Sequence, residues 1–446
     1  MLGLLALSVG ANAQSWTDQA TNFSANYGVA IISPVDANTV WIAPYDGTGA
    51  NPPAYPKVFA KTTNGGATWT ATNITGLTAQ ANVMISDLFA IDANTAWIVT
   101  APTTGTAGNG IYKTTNGGTS WTQQTAYSTA SFANQIYFWD ANNGWSAGDP
   151  VGGAFQMYKT SNGGTTWTAV SGTPAAISSN EYGYNQRCKY VIGDNIWIGT
   201  SSGRLLHSTD RGSTWTAAFT PVLDFGGNVT TGSSGLFTFR DGNNGLLISI
   251  DGLTAYGDIP SVAMYSSSDG GANWDTMDPT GLWYFGDVTY VPGTPNTYVT
   301  TGVYALDPSY MGSAYSSDGG NTWTSIDDGV QRYAVGFIDS STGWAGTFSD
   351  GPGGTTGIVK LQGTLGVSDI SSVKTNLKVY PNPAVDVVNL TAAKNIKGGT
   401  IFDASGKKVM TYTGSEINVS SLAKGTYILQ VYYGGGAVEN TKLIKQ

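Results

Sequence analysis

An octet of the form Ser/Thr-x-Asn/Asp-x-Gly-x-Ser/Thr-Trp recurs six times, at residues 62–69, 114–121, 160–167, 208–215, 267–274 and 316–323. Its closing tryptophans, Trp69, Trp121, Trp167, Trp215, Trp274 and Trp323, stand 52, 46, 48, 59 and 49 residues apart. A period near fifty means that one supersecondary unit is stacked on copies of itself, because a single unit of that length cannot bury its own apolar face. Few architectures survive this constraint.

The octet reads as a tight turn between two strands. The third residue (Asn64, Asn116, Asn162, Asp210, Asp269 or Asp318) accepts hydrogen bonds from the turn's own backbone N–H groups. The glycine at position five supplies a backbone conformation that other residues avoid. The hydroxyls at positions one and seven tie the arms together, and the tryptophan is an apolar plug between neighbouring units. One copy carries Asn273 at position seven, so a hydroxyl bond is missing there. These residues are structural, not ligand-binding. The octet resembles the Asp-box, or BNR repeat, of bacterial neuraminidase-type β-propellers, whose boxes are structural turns on the rim away from the ligand face.

About 25 residues before each octet lies a second turn signature. It reads Asp36-Ala37-Asn38-Thr39-Val40-Trp41, then Asp92 to Trp97 and Asp140 to Trp145, with looser copies at 193–197, 241–246 and 295–298 and a seventh at 339–344. Asx and Gly clusters between alternating apolar runs are hairpin turns. Seven such turns and six octets predict an all-β, seven-bladed β-propeller over residues 14–362, each blade having four strands. The seventh blade lacks an octet. The N-terminal Ser15-Trp16-Thr17 imitates the Trp-Thr that follows an octet, so this strand is expected to close the ring and remove an open edge. Six blades plus a separate sheet is the alternative.

Residues 1–13 form a short apolar run ending in Ala11-Asn12-Ala13, the pattern of a signal peptide, although a basic start is missing. Residues 363–376 read as a linker. From 367 onward the chain carries nine Lys against five Asp and Glu, whereas the residues before it carry 11 basic against 24 acidic groups. This asymmetry marks two modules. The tail contains Tyr380-Pro381-Asn382-Pro383, a hairpin with Gly406, a Gly425-Thr426-Tyr427 strand and a basic terminus. In that order they resemble the type A C-terminal sorting domain of type IX secretion. The resemblance implies a small antiparallel β-sandwich over residues 377–446, the type IX machinery as a partner, and export to the outside of a Gram-negative bacterium. An accessory binding sandwich is the alternative.

Both tight turns of a blade lie on one face of a propeller. The opposite face carries the connections between second and third strands and those between blades. These loops are uneven and rich in aromatic and acidic residues, among them Tyr45, Asp46, Tyr55, Tyr256, Asp258, Tyr304, Asp307 and Tyr310. Irregular loops on a rigid scaffold are the expected place for binding. Exposed tyrosines suit stacking on sugar rings or packing on proteins. The innermost strands are mostly bland, as in residues 79–89. Three are not: Glu181-Tyr182-Gly183-Tyr184-Asn185-Gln186-Arg187, Trp283 to Asp287, and Gln331-Arg332-Tyr333. Glu181, Arg187, Asp287, Arg332 and Tyr333 are the weak catalytic candidates, and Tyr182 and Tyr184 join the binding candidates. The alternative is that the Arg and Glu side chains neutralise one another in the channel.

Sialidases of the resembled family need three arginines, a tyrosine nucleophile with a glutamate partner, and an acidic Asp. Here Glu181 is the one glutamate before the tail, Arg211 sits in an octet, and Arg204 belongs near a third strand. Xyloglucanase-type relatives pair two rings, and one ring is expected here. Seven-bladed rings of this kind also resemble photosystem II assembly-factor-like and sortilin-type binding scaffolds. His207, the single histidine, is expected on an outer strand, and Cys188 allows no internal disulfide. A net charge of -9 disfavours nucleic acid. No metal or cofactor site is expected beyond an occasional loop calcium, and no membrane span after the first residues. The reading is a secreted or surface-displayed monomeric propeller that binds glycan or protein. The rival is an extracellular glycoside hydrolase or lyase.

Overall fold

The computed structural model describes residues 14–446 except 51–52, 78–81, 105–107, 125–126, 128–130, 229–231, 253–259, 304–306, 366–376, 393–395, 404–406 and 434–437. The signal peptide, most of the linker, Tyr256, Asp258, Tyr304 and Gly406 therefore lie outside the described residues. The chain divides into two compact units near residue 367.

In the first unit, seven antiparallel sheets of four or five strands occur among the described residues. Sheet one comprises Tyr27–Pro34, Val40–Asp46, Val58–Thr62 and Thr70–Asn73, innermost strand first. The innermost strands of the others are Val83–Ala90, Ala133–Phe138, Lys189–Ile192, Ser233–Phe239 (preceded at the edge by Gly226–Asn228), Asp287–Tyr290 and Val335–Asp339. These strands touch in succession, the third and fourth through Lys189 Nζ, which donates to Ile136 O at 2.6 Å, and the seventh touches the first, so the sheets close on themselves as a β-propeller. The outer strand of sheet seven is Ser15–Ala20, paired antiparallel with Gly357–Gln362 from Ser15 opposite Gln362 to Ala20 opposite Gly357. Trp16 donates its indole N–H to Ser313 Oγ of the sixth sheet at 2.7 Å, which fixes the strand sideways as well.

The octets form the same turn six times. In the first, Gly66 N donates to Thr62 Oγ1, Thr62 Oγ1 donates to Asn64 Oδ1, and Thr68 N donates to Asn64 Oδ1, each at 2.9 Å. Gly65 and Gly66 have φ of +68° and +89°, values a side chain would strain. In the copy with Asn273, the amide Nδ2 donates to Asp269 Oδ2 at 2.8 Å and so replaces the absent hydroxyl. Each octet is bonded to the first turn of its own sheet, as in Gly65 N to Asn38 O and Gly319 N to Asn296 O. Both turns therefore share one face.

The tryptophans join neighbouring sheets. Trp41, Trp97, Trp145, Trp197 and Trp344 on second strands are fully buried. Trp121 of sheet two meets Trp41 of sheet one edge-on, with centroids 6.4 Å apart, and Trp215 of sheet four lies 5.8 Å from Trp145 of sheet three. Lys61 and Lys360 cover Trp41 and Trp344, and Lys360 Nζ donates to Gly65 O across the closure. His207 holds the corresponding place over Trp197, stacked at 4.4 Å. It lies on the third strand Arg204–Ser208, not on an outer one, and burial pushes its pKa down to about 4.

In the second unit, Lys378–Tyr380, Val387–Thr391 and Glu416–Asn418 form one sheet. Ile396–Phe402, Lys408–Thr413, Gly425–Tyr433 and Val438–Lys445 form the other. Val388, Leu390, Ile401, Ile417, Leu429 and Leu443 make the core. Asn382 pins the last strand by donating Nδ2 to Lys442 O at 2.8 Å and accepting Ile444 N at 2.9 Å. Tyr427 Oη donates to Ala423 O at 2.8 Å, bracing the turn before its strand.

Candidate functional site at the mouth of the ring

The sequence reads residues 181–187 as an inner strand. They instead form an irregular run that ends in the short 3-10 turn Gln186–Cys188, ahead of the strand Lys189–Ile192. Gly183 and the Asn185 cap break the alternation that a strand needs. This run crosses the channel at the loop face. Gln186 Nε2 donates to Ala30 O of sheet one at 2.6 Å. Gln135 Nε2 of sheet three donates to Tyr184 O at 2.8 Å and to Asn185 O at 3.2 Å. Asp149 accepts Gly183 N at 3.0 Å, and burial pushes its carboxyl up to about 6. Arg187 reaches sheets six and seven, donating to Gly286 O and, at 2.8 Å, to Tyr333 Oη.

Above this crossing lies a cavity of about 280 Å³, lined by Tyr45, Asp46, Tyr55, Gln186, Arg187 and Tyr333 together with Pro44, Pro53, Pro56, Met84 and Ile85. That is just under the usual range for small-molecule sites, about 300–1,000 Å³. Three rings and a guanidinium form a ladder at its wall. Phe348 lies 5.8 Å from Tyr45, Tyr45 lies 4.9 Å from Tyr333, and the Arg187 guanidinium sits 4.7 Å from the Tyr333 centroid. Gly28 is required here, because a Cβ on it would run into the Tyr45 ring. Burial and the neighbouring Tyr333 hold the Tyr45 phenol well above its ordinary value, so it stays a donor. At the rim, Asp46 accepts Thr48 N at 2.9 Å and Ala54 N at 2.7 Å. Its hydrogen bonds, chiefly with Thr48, keep its carboxyl below the ordinary range. The Lys57 ammonium lies 5.7 Å from the Tyr55 ring.

Below the crossing, a polar cavity of about 400 Å³ runs along the inner strands and also touches Arg187. Its carboxylates are engaged. Asp287 accepts Val288 N at 2.9 Å and Val335 N at 3.0 Å. Burial raises its pKa against the pull of Arg187. Residues 79–89 are less bland than expected, for Asp87 does the same between sheets two and three. It accepts Leu88 N and Ile136 N, each at 2.8 Å, and is ion-paired to Lys189. Each aspartate bonds the backbone of the next sheet, so it seals a joint between sheets. A polar pair such as Ser86-Asp87 inside an apolar strand was the available signal for it.

Of the other candidates, Glu181 does not pair with a channel arginine. It is buried and clasped by Arg204, with Nε to Oε1 at 2.8 Å and Nη2 to Oε2 at 2.7 Å, and it also accepts Thr200 Oγ1 at 2.7 Å. Arg332 is paired with Asp327 at 2.8 Å, away from Arg187. Tyr284, expected near the mouth, is fully buried in the core of sheets five and six. Tyr310 packs on Phe285 at 5.3 Å. Tyr182 meets Tyr184, whose Oη donates to Asp224 Oδ1 at 2.5 Å beside a smaller cavity. Cys188 is buried there, its thiol pushed up to about 12. Among the described residues, no three His, Cys, Asp or Glu side chains gather in a way that could hold a metal ion. Among them, too, no helix is long and apolar enough to cross a membrane.

Residues 378–446 match the secretion system C-terminal sorting domain. That domain directs the chain through type IX secretion to the cell surface or the extracellular space. No curated protein sequence matches the chain at a significant level. Among solved structures, YCF48 bound to D1 peptide is 18% identical, with a TM-score of 0.51, covering 80% of this chain and 98% of that one. YCF48 from Cyanidioschyzon merolae is 16% identical, with a TM-score of 0.50, covering 78% and 99%. An ancestral GH74 enzyme is 14% identical, with a TM-score of 0.51, covering 96% of this chain and 63% of that longer one. At these identities the likeness concerns the fold alone.

Proposed function

We propose that this chain is an exported binding scaffold whose propeller holds a glycan at the loop-face mouth. The observation that carries the reading is the cavity walled by Tyr45, Tyr55 and Tyr333 with the Asp46 carboxylate fixed at its rim. Tyrosine rings stack on sugar faces. A carboxylate held by two backbone N–H groups is a ready acceptor for sugar hydroxyls. Binding is favoured over hydrolysis because, among the described residues, Asp46 is the one carboxylate that lines this cavity, whereas glycoside hydrolysis uses a pair. A protein ligand is the competing occupant.

The test is a glycan array probed with the full chain, alongside a reducing-sugar assay on the glycans bound. Retention of a defined glycan is expected, weakened about ten-fold or more by Tyr55→Ala, as loss of one stacking ring and its contacts allows. Release of reducing sugar that vanishes in Asp287→Asn would replace the binder by a hydrolase. Retention unaffected by Tyr55→Ala and Tyr45→Ala would move the site elsewhere.

A further inference from the structure

We infer that the mouth cavity takes an acidic sugar residue, one uronate carboxylate paired with Arg187. The inference rests on the glycan reading above and adds the charge of the ligand.

All five arginines of the chain lie in the propeller. Four are in ion pairs: Arg204 with Glu181, Arg211 with Asp194, Arg240 with Asp241 and Arg332 with Asp327, at 2.7–3.0 Å. Among the described residues Arg187 has no such pair. Its guanidinium donates to the Tyr333 hydroxyl and the Gly286 carbonyl, neither of them a carboxylate, and lies over the Tyr333 ring. Asp287 acts on it through space, but both oxygens of that carboxylate accept backbone N–H groups of sheets six and seven. Arg187 therefore brings into the cavity wall a cation with no carboxylate in ion-pair contact among the described residues, Asp287 acting on it only through space. A guanidinium in that state favours a planar carboxylate, which it can meet with parallel N–H bonds.

The remaining lining fixes the rest of the ligand. Asp46 stands at the rim as an anion and repels a second acidic group there, while it accepts hydroxyls. Carboxylate inward, hydroxyls outward and a ring face against tyrosine describe a uronic acid. The surrounding charge sets the number. With 24 acidic against 11 basic groups before the tail, the propeller repels a polyanion at long range. One carboxylate seated in the wall is admitted where a densely charged chain is not. Added salt screens the long-range repulsion more than the seated pair. Binding should hold or tighten as ionic strength rises, the reverse of capture by a basic surface patch.

The experiment is calorimetric titration of the full chain with a panel of uronate-terminated oligosaccharides and their carboxyl-reduced counterparts, at low and at physiological salt. At least one acidic member is expected to bind about ten-fold or more tighter than its reduced form, about 1.4 kcal/mol. Arg187→Gln should erase that preference, and Arg187→Lys should keep part of it. The wild-type comparison decides even where a variant fails to fold. Equal affinity for acidic and reduced members overturns the inference and leaves the glycan reading standing. Absence of binding to both overturns both, whether or not a peptide with a free C-terminal carboxylate then binds.

Discussion

The third residue of the octet changes chemistry along the ring. Sheets one to three carry Asn64, Asn116 and Asn162, and sheets four to six carry Asp210, Asp269 and Asp318. Burial alone would raise Asp210, but hydrogen bonds led by Thr214 bring it down to about 2. Asp269 and Asp318 are likewise lowered, Asp269 mainly by Asn273 and Asp318 by Thr322 against its burial. A carboxyl lowered by folding stabilises above its unfolded value, near 3.9, and that contribution is lost as pH falls through the folded value. The melting temperature should therefore drop between pH 4 and pH 2. Replacing all three aspartates by asparagine should make that part of the profile shallower, Asp241 and Asp350 supplying much of what remains; an unchanged profile would contradict the assignment. Glu181 marks where residue-level reading stops. Its partner Arg204 is 23 residues away, on the strand Arg204–Ser208, and no local pattern announces a contact made by the fold.

At the scale of elements, Ser15–Ala20 has the most to say. It contributes one strand yet supplies the outer edge of sheet seven and, through Trp16, a bond to sheet six. Without it Gly357–Gln362 would present an unpaired edge, the feature that recruits other chains. Removal of residues 14–20 should lower the melting temperature and produce concentration-dependent association in light scattering. A monomer of unchanged stability would show that the strand is dispensable. This strand was legible because Trp16 and Thr17 repeat an octet's ending, and the hairpins were legible from their Asx and Gly spacing. The crossing at 181–188 was not. It stands where the other sheets begin their inner strands, and its course depends on Gln135, Ala30 and Tyr333, which approach from three other sheets. Of the tyrosines that the sequence singles out, Tyr45, Tyr55 and Tyr333 line the cavity, whereas the segment that floors it was visible only in three dimensions.

The whole molecule consists of two units with separate cores, one built on tryptophan and the other on aliphatic side chains around Leu429. Such cores melt independently when few contacts join them. Calorimetry of the full chain should show two transitions, and a chain ended after residue 365 should keep only that of the propeller, at the same temperature. One shared transition would mean that the units stabilise each other. The last propeller strand ends at Gln362, clasped on both sides by Thr342–Gly346 and by Ser15–Ala20, and the chain stays bound through Leu365, which is buried and donates its N–H to Ser340 O. Any pull arriving through the tail reaches that strand once Leu365 gives way. It must then break two ladders at once, so a tug from a moored tail is borne by the seam itself, and the buckle that completes the belt is also where it resists being torn open.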